Sequence, residues 1–148
     1  MRIYMDLCCF NRPYDDQAQT RIRIETEAKI MIQQKIQDAE CELLWSAILD
    51  LECSFNPVTA HRMAIMNWRA EACAQIMIDE TVLAEAQRLR ASGIGEYDAL
   101  HAACAKVGQA DLFVSTDDRL LKRLRTVGGL QAKLPQDALA VMERWYED

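Results

Sequence analysis

Apolar positions change their period several times along this chain, and each change marks an element. Ile3, Met5 and Leu7 alternate with other side chains, the period of a strand over residues 2–8. Asn11-Arg-Pro13 interrupts it, and Asp15-Asp16 is suited to cap a helix beginning just beyond. From Gln17 to about Ala39, Ile22, Ile24, Ala28, Ile32 and Ile36 recur with charge between them, which predicts a long amphipathic helix. Glu42–Trp45 reads as a second strand, and Ser46 then caps a helix carrying Ile48, Leu49 and Glu52 that stops at Asn56-Pro57. Thr59 starts a helix expected to reach Cys73, and another covers Glu80 to Ala91. Beyond the break at Ser92-Gly-Ile-Gly95, a helix spans Glu96 to Val107, a third strand Leu112 to Ser115 and a helix Asp118 to about Leu124. Gln131–Leu134 is a candidate fourth strand before a last helix from Gln136 to Trp145.

Strands alternating with helices predict an α/β sandwich around a small parallel sheet of about four strands. Sites in such sheets form beyond the carboxyl ends of the strands. At 148 residues, with three prolines, five glycines, no linker-like tract and no repeat, a single domain over 1–148 is expected. No uncharged stretch approaches the roughly 18 residues of a membrane span. The N-terminus meets Asp6 too early for a signal-peptide core, so a cytoplasmic location is expected. The six cysteines (Cys8, Cys9, Cys41, Cys53, Cys73 and Cys104) include no C-x-x-C pair and read as reduced, buried small hydrophobes. A zinc site on His101 and Cys104 lacks a second ligand pair, since there are only two histidines.

Within this frame four acids stand at element boundaries. Asp6 ends the first apolar run, Glu52 follows the Ser46 cap by six residues, Asp98 opens Asp98-Ala-Leu-His-Ala-Ala-Cys-Ala105, and Asp117 follows Phe113-Val-Ser-Thr116. Taken singly, each reads as a surface or capping residue. Brought together, such carboxylates suit hard divalent cations, which prefer oxygen ligands. A net charge of −6 argues against a basic nucleic-acid coat protein. Yet Arg119, Lys122, Arg123 and Arg125 cluster just after Asp117, and Arg12, Arg21 and Arg23 follow the first strand. Beside the acids, these groups point to phosphate-backbone contact. The sequence holds no Gly-rich phosphate loop, no Ser-His-Asp context and no H-E-x-x-H.

The ordered set Ile3-Tyr-Met-Asp6, Ser46…Glu52, Asp98-Ala-Leu-His101 and Phe113-Val-Ser-Thr-Asp117 resembles the motifs of the PIN-domain ribonucleases, over residues 3 to about 125. The Asn-Arg-Pro turn after the first strand resembles a subgroup of that family. The resemblance implies a PIN-like three-layer sandwich and a metal-dependent endoribonuclease of the toxin type. It implies Mg²⁺ or Mn²⁺ on Asp6, Asp98 and Asp117, with Glu52 as a ligand or an orienter of water. Ser115 would steady the fourth motif, Asp118 is its second acid and a cap candidate, and Asn11 either touches substrate or shapes its turn. Arg12, Arg119, Lys122 and Arg123 are the candidates for RNA contact. The partners implied are RNA, a small antitoxin protein and a second copy of the chain. The apolar 59–73 helix also favours self-association. Two alternatives stay open: a catalytically silent PIN-like module that binds RNA or protein, and an α/β phosphatase. The phosphatase lacks the second acid expected two residues after Asp6, where Cys8 stands. His101, on an apolar helix, reads as a core residue bonded to backbone rather than as a base, and Trp45 and Trp68 read as core.

Overall fold

The computed structural model describes residues 1–145. Its centre is a five-stranded, all-parallel sheet in the order β3-β2-β1-β4-β5, formed by Arg2–Met5 (β1), Glu42–Ser46 (β2), Ala72–Ile76 (β3), Leu112–Val114 (β4) and Ala132–Lys133 (β5). The inner strands are continuous apolar runs because helices cover both faces. Ile3, Tyr4, Met5, Leu43, Leu44, Trp45, Leu112, Phe113 and Val114 have no solvent exposure.

The helices are Leu7–Asn11 (α1), Thr20–Gln37 (α2), Ala47–Ser54 (α3), Thr59–Met66 (α4), Glu80–Ala91 (α5), Glu96–Val107 (α6), Asp118–Val127 (α7) and Pro135–Met142 (α8), with 3₁₀ turns at Arg12–Tyr14 and Asn67–Glu71. α5 packs on α6 and α2 on α8. Phe10 meets Trp45 edge-on, at 5.4 Å between ring centroids, joining α1 to β2.

The α/β sandwich agrees with expectation, and the strand count is corrected from about four to five. The helix expected from Thr59 to Cys73 ends at Met66, and Ala72–Ile76 pairs with β2 as an edge strand. The expectation for residues 2–8 is also shortened: β1 stops at Met5 and Leu7 begins α1. Asp15 and Asp16 do not cap α2, whose N-cap is Gln19. Instead Asp15 binds Arg12, and Asp16 accepts the Ala18 N–H.

Strand order reverses between β1 and β4, and both run toward the same edge. There the Asp6 N–H donates to the Val114 carbonyl at 3.1 Å, which brings the residues after the two strands side by side. No helix among the described residues is long and apolar enough to cross a membrane.

Candidate functional site

The strand ends place the first and fourth acids next to each other. Asp6 is 5% exposed and accepts a hydrogen bond from the Cys8 thiol at 2.6 Å. Burial pushes its carboxyl well above the usual aspartate range, against the opposing pull of a hydrogen bond from Ser115. Ser115 is fully buried, and its Oγ also accepts the Asp117 N–H at 3.1 Å, so one hydroxyl steadies the corner between Asp6 and Asp117.

Asp117 is exposed and is itself the N-cap of α7. Its Oδ1 accepts the N–H groups of Arg119 and Leu120 at 3.0 and 3.2 Å, leaving Oδ2 for the site. The cap expected of Asp118 therefore belongs to Asp117. Asp118 points away and forms a two-pronged pair with Arg21, with both distances 2.7 Å.

Asp98 sits in the first turn of α6 and is half-buried. Burial raises its pKa, and the Asp117 and Glu52 carboxylates raise it further. Asp98 shares one hollow with Asp117 and another with Glu52. Glu52, on α3, is hydrogen-bonded through Oε1 to His101 Nε2.

Asp98 and Asp117 line a hollow of about 200 Å³ with Gly93, Gly95, Arg119 and Arg123. Glu52, Gly95 and Asp98 border a second hollow of about 380 Å³. A third, of about 570 Å³, continues past Arg119 and Arg123 to Lys122. Shared residues make these one depression, running from Glu52 past two acids to a basic bank. The larger cavity of about 760 Å³ between α5 and α6 contains none of the four acids.

Gly93 shapes the depression's rim. It adopts φ +94°, and its carbonyl accepts a hydrogen bond from Arg123, where a Cβ would meet Arg123 Nη1 at 2.9 Å. The Arg119 and Lys122 side chains form no ion pair with any described residue. Arg12 is committed elsewhere: it binds Glu25 at 2.8 Å and Asp15 at 3.1 Å, tying the 3₁₀ turn to α2. Asn11 is half-buried at the end of α1, and its side chain does not cap the turn it precedes. The structure thus sets Asp98 and Asp117 in one hollow with Arg119 and Arg123, places Glu52 on the adjoining one and Lys122 on the next, ties Asp6 to the Asp117 corner through Ser115, and leaves Arg12 and Asp118 in ion pairs elsewhere.

Cysteine and histidine depart from expectation. Cys8 is not an inert core thiol: it is only half-buried and bonded to Asp6, and ligand atoms of Asp6, Cys8 and Cys9 lie within 4.8 Å of one another. Cys73, on the edge strand, is exposed. His101 does not bond backbone; it bonds Glu52 and Tyr4. The one signal for His101 in the sequence is its place three residues after Asp98, on the same helix.

A parallel α/β sheet whose carboxyl edge carries acids with no Lys or Arg partner among the described residues defines the class, and sequence comparison gives the family. The model of the PIN domain matches residues 42–126. This chain belongs to the PIN-domain family. The matched segment contains Glu52, Asp98 and Asp117; it begins after β1 and does not include Asp6.

The fold is similar to that of three solved structures. VapBC2 from Rickettsia felis, bound to a DNA fragment from its promoter, shares 14% identity at a TM-score of 0.58, covering 90% of this chain and 98% of that one. VapBC-1 from nontypeable Haemophilus influenzae shares 17% at 0.57, and DNA-bound VapBC from Salmonella typhimurium 15% at 0.58, each covering 91% and 98%. No curated protein sequence matches significantly.

Proposed function

We propose that this chain is a metal-dependent endoribonuclease, a single domain that hydrolyses RNA phosphodiester bonds with Mg²⁺ or Mn²⁺. One observation carries the reading: Asp6, Glu52, Asp98 and Asp117 sit at one edge of the sheet with no Lys or Arg partner among the described residues, while Arg119 and Lys122 border the same depression without one. Carboxylates left uncompensated in this way fit a hard divalent ion. Asp6, Asp98 and Asp117 would hold it, through oxygens that include Asp117 Oδ2, and Glu52 keeps Oε2 for a ligand or an attacking water. When bound, the ion supplies charge neutralisation at the phosphate and acidifies the attacking water.

The protein's own groups do the rest. Arg119 and Lys122, on the basic bank of the depression, hold the RNA backbone, and Ser115 fixes the corner between Asp6 and Asp117. Likeness in fold to VapBC complexes supports a further reading, that the chain is the toxin of a cytoplasmic toxin–antitoxin pair whose partner is a small antitoxin protein. Exposed Phe55, Val58 and Met63 near the start of α4 support a homodimer. Light scattering that finds only monomer at tens of micromolar removes that last element.

The test is cleavage of a fluorescently labelled RNA with Mn²⁺, repeated with chelator and with Asp6→Asn. Activity lost with chelator and in a folded Asp6→Asn protein supports the proposal. RNA binding without cleavage in the wild type favours the silent module instead.

A further inference from the structure

Glu52 is held differently from the other acids. Asp98 lies in the first turn of α6 and Asp117 caps α7, where unsatisfied N–H groups favour a negative charge. Glu52 is near the other end of eight-residue α3, where the helix offers it no donor. Its donor comes from across the fold. His101 Nε2 bonds Glu52 Oε1, and Nδ1 lies 2.6 Å from Tyr4 Oη. Tyr4 Oη is in turn 2.7 Å from Ser46 Oγ, which accepts the Leu49 N–H at 3.3 Å. His101, Tyr4 and Ser46 are all buried.

Donor and acceptor roles follow from the carboxylate. An ionised Glu52 only accepts, so Nε2 carries the hydrogen and Nδ1 of a neutral imidazole accepts from Tyr4, whose oxygen accepts from Ser46. The imidazole cannot rotate out of this arrangement. It is pinned at both nitrogens, and it packs edge-on to Tyr4, whose ring stacks on Phe113 at 5.6 Å. A core histidine needs one partner, and a backbone carbonyl suffices. This one is wired from β1, β2 and α6 to a carboxylate at the rim of the depression.

We infer that His101 is a positioning residue for Glu52, fixed in tautomer and orientation by Tyr4 and Ser46, so that Glu52 presents Oε2 alone to the RNA site. The inference rests on the proposed nuclease activity. Groups that orient a ligating carboxylate from behind typically carry about 10–100-fold in metal affinity or rate.

The experiment is a double-mutant cycle on RNA cleavage with Mn²⁺, with the Mn²⁺-induced rise in melting temperature as a second readout. His101→Leu should lower kcat on the order of 10- to 100-fold and shrink the Mn²⁺-induced rise. His101→Gln, whose amide N–H falls near Nε2, should recover most of both. In a Glu52→Gln background His101→Leu should cost nothing more, because the two act as one unit. Tyr4→Phe removes a single hydroxyl and keeps the stacked ring. Its smaller loss should likewise vanish beside Glu52→Gln, and it decides the matter if His101→Leu does not fold. Full rate in both His101→Leu and Tyr4→Phe, or losses that simply multiply with Glu52→Gln, overturns the inference while leaving the nuclease reading intact. A wild type that neither cleaves RNA nor gains melting temperature with Mn²⁺ takes both down.

Discussion

Lys29 should be a stability liability that can be removed and whose pH signature can be read. It lies on α2, 6% exposed, with Nζ 5.7 Å from the centroid of the Phe10 ring. Glu25, one turn earlier on the same helix, is taken by Arg12 and Arg21, and Lys29 forms no ion pair with any described carboxylate. Burial lowers the pKa from 10.5 to about 8, with Cys9 opposing weakly. Because the folded value lies below the unfolded one, the charged amine costs the folded state its full penalty at pH 7. That penalty falls away only as pH rises from 8 to 10.5. A drop of this size corresponds to about 3 kcal/mol. Attraction of the ammonium to the Phe10 ring returns roughly 0.5–2 kcal/mol of it. Lys29→Met keeps the length and helix propensity of the side chain without the charge. It should therefore stabilise the protein by about 1–3 kcal/mol at pH 7, raising Tm by roughly 3–10 °C. Urea titrations of both proteins at pH 7 and pH 10 are the assay. Ionisation of thiols and tyrosines in alkaline solution affects the two alike, so their difference isolates Lys29. The advantage should shrink markedly at pH 10. A Lys29→Met variant less stable than the parent at pH 7, or an advantage independent of pH, refutes the reasoning.

Asp117→Asn should keep α7 intact, because Asn caps nearly as well, yet lose most of the cleavage rate; Asp118→Asn, which disturbs only the exposed pair with Arg21, should keep it. Similar losses from both would mean that Asp118 also serves the site. Asp98→Asn tests the crowding of the acids without metal. The raised pKa of Asp98 means that its ionisation destabilises the folded state once pH exceeds the unfolded value. The metal-free variant should then match or exceed the parent at pH 7 in thermal melts, with the difference closing as pH falls toward about 4. A variant less stable at pH 7 contradicts this. Arg119→Glu and Lys122→Glu should raise KM for RNA and flatten its dependence on salt, whereas Arg12→Ala should mainly lower stability by leaving buried Glu25 with the longer contact to Arg21 alone. Equal effects of Arg12 and Arg119 on KM would show that Arg12 reaches the RNA after all.

What the sequence disclosed depended on how local each determinant was. The spans of α5 and α6 were legible because their ends are punctuated: Asp79 accepts the Val82 N–H at 2.9 Å, and the Gly93–Gly95 segment separates the two helices. Strand β3 was not, since Ala72-Cys-Ala-Gln-Ile76 continues the apolar spacing of the preceding helix and becomes a strand only by pairing with Leu43–Ser46. The acids were visible through their settings. Their partners were not, because the bonds from Tyr4 to His101 and from His101 to Glu52 span 97 and 49 residues. Cys8 misled for a related reason. Its residue type suggests a small hydrophobe, but two residues after a strand-end aspartate the thiol is turned back onto that carboxylate.

These cases share a physical logic in how each acid is held. Asp98 and Asp117 stand where a strand or loop gives way to a helix, the positions at which backbone N–H groups lack partners. A carboxylate there is partly compensated by the chain itself, so local folding preferences and the needs of a cation site select the same residue. Asp6 follows a strand in the same way, but it is buried, and the hydrogen bond that favours its charged form comes from Ser115. Glu52 has neither kind of help from its own segment, and it is the acid to which a buried histidine has been brought. On the proposed reading, Glu52 and Asp117 would already be held by His101 and by the α7 N–H groups before an ion binds.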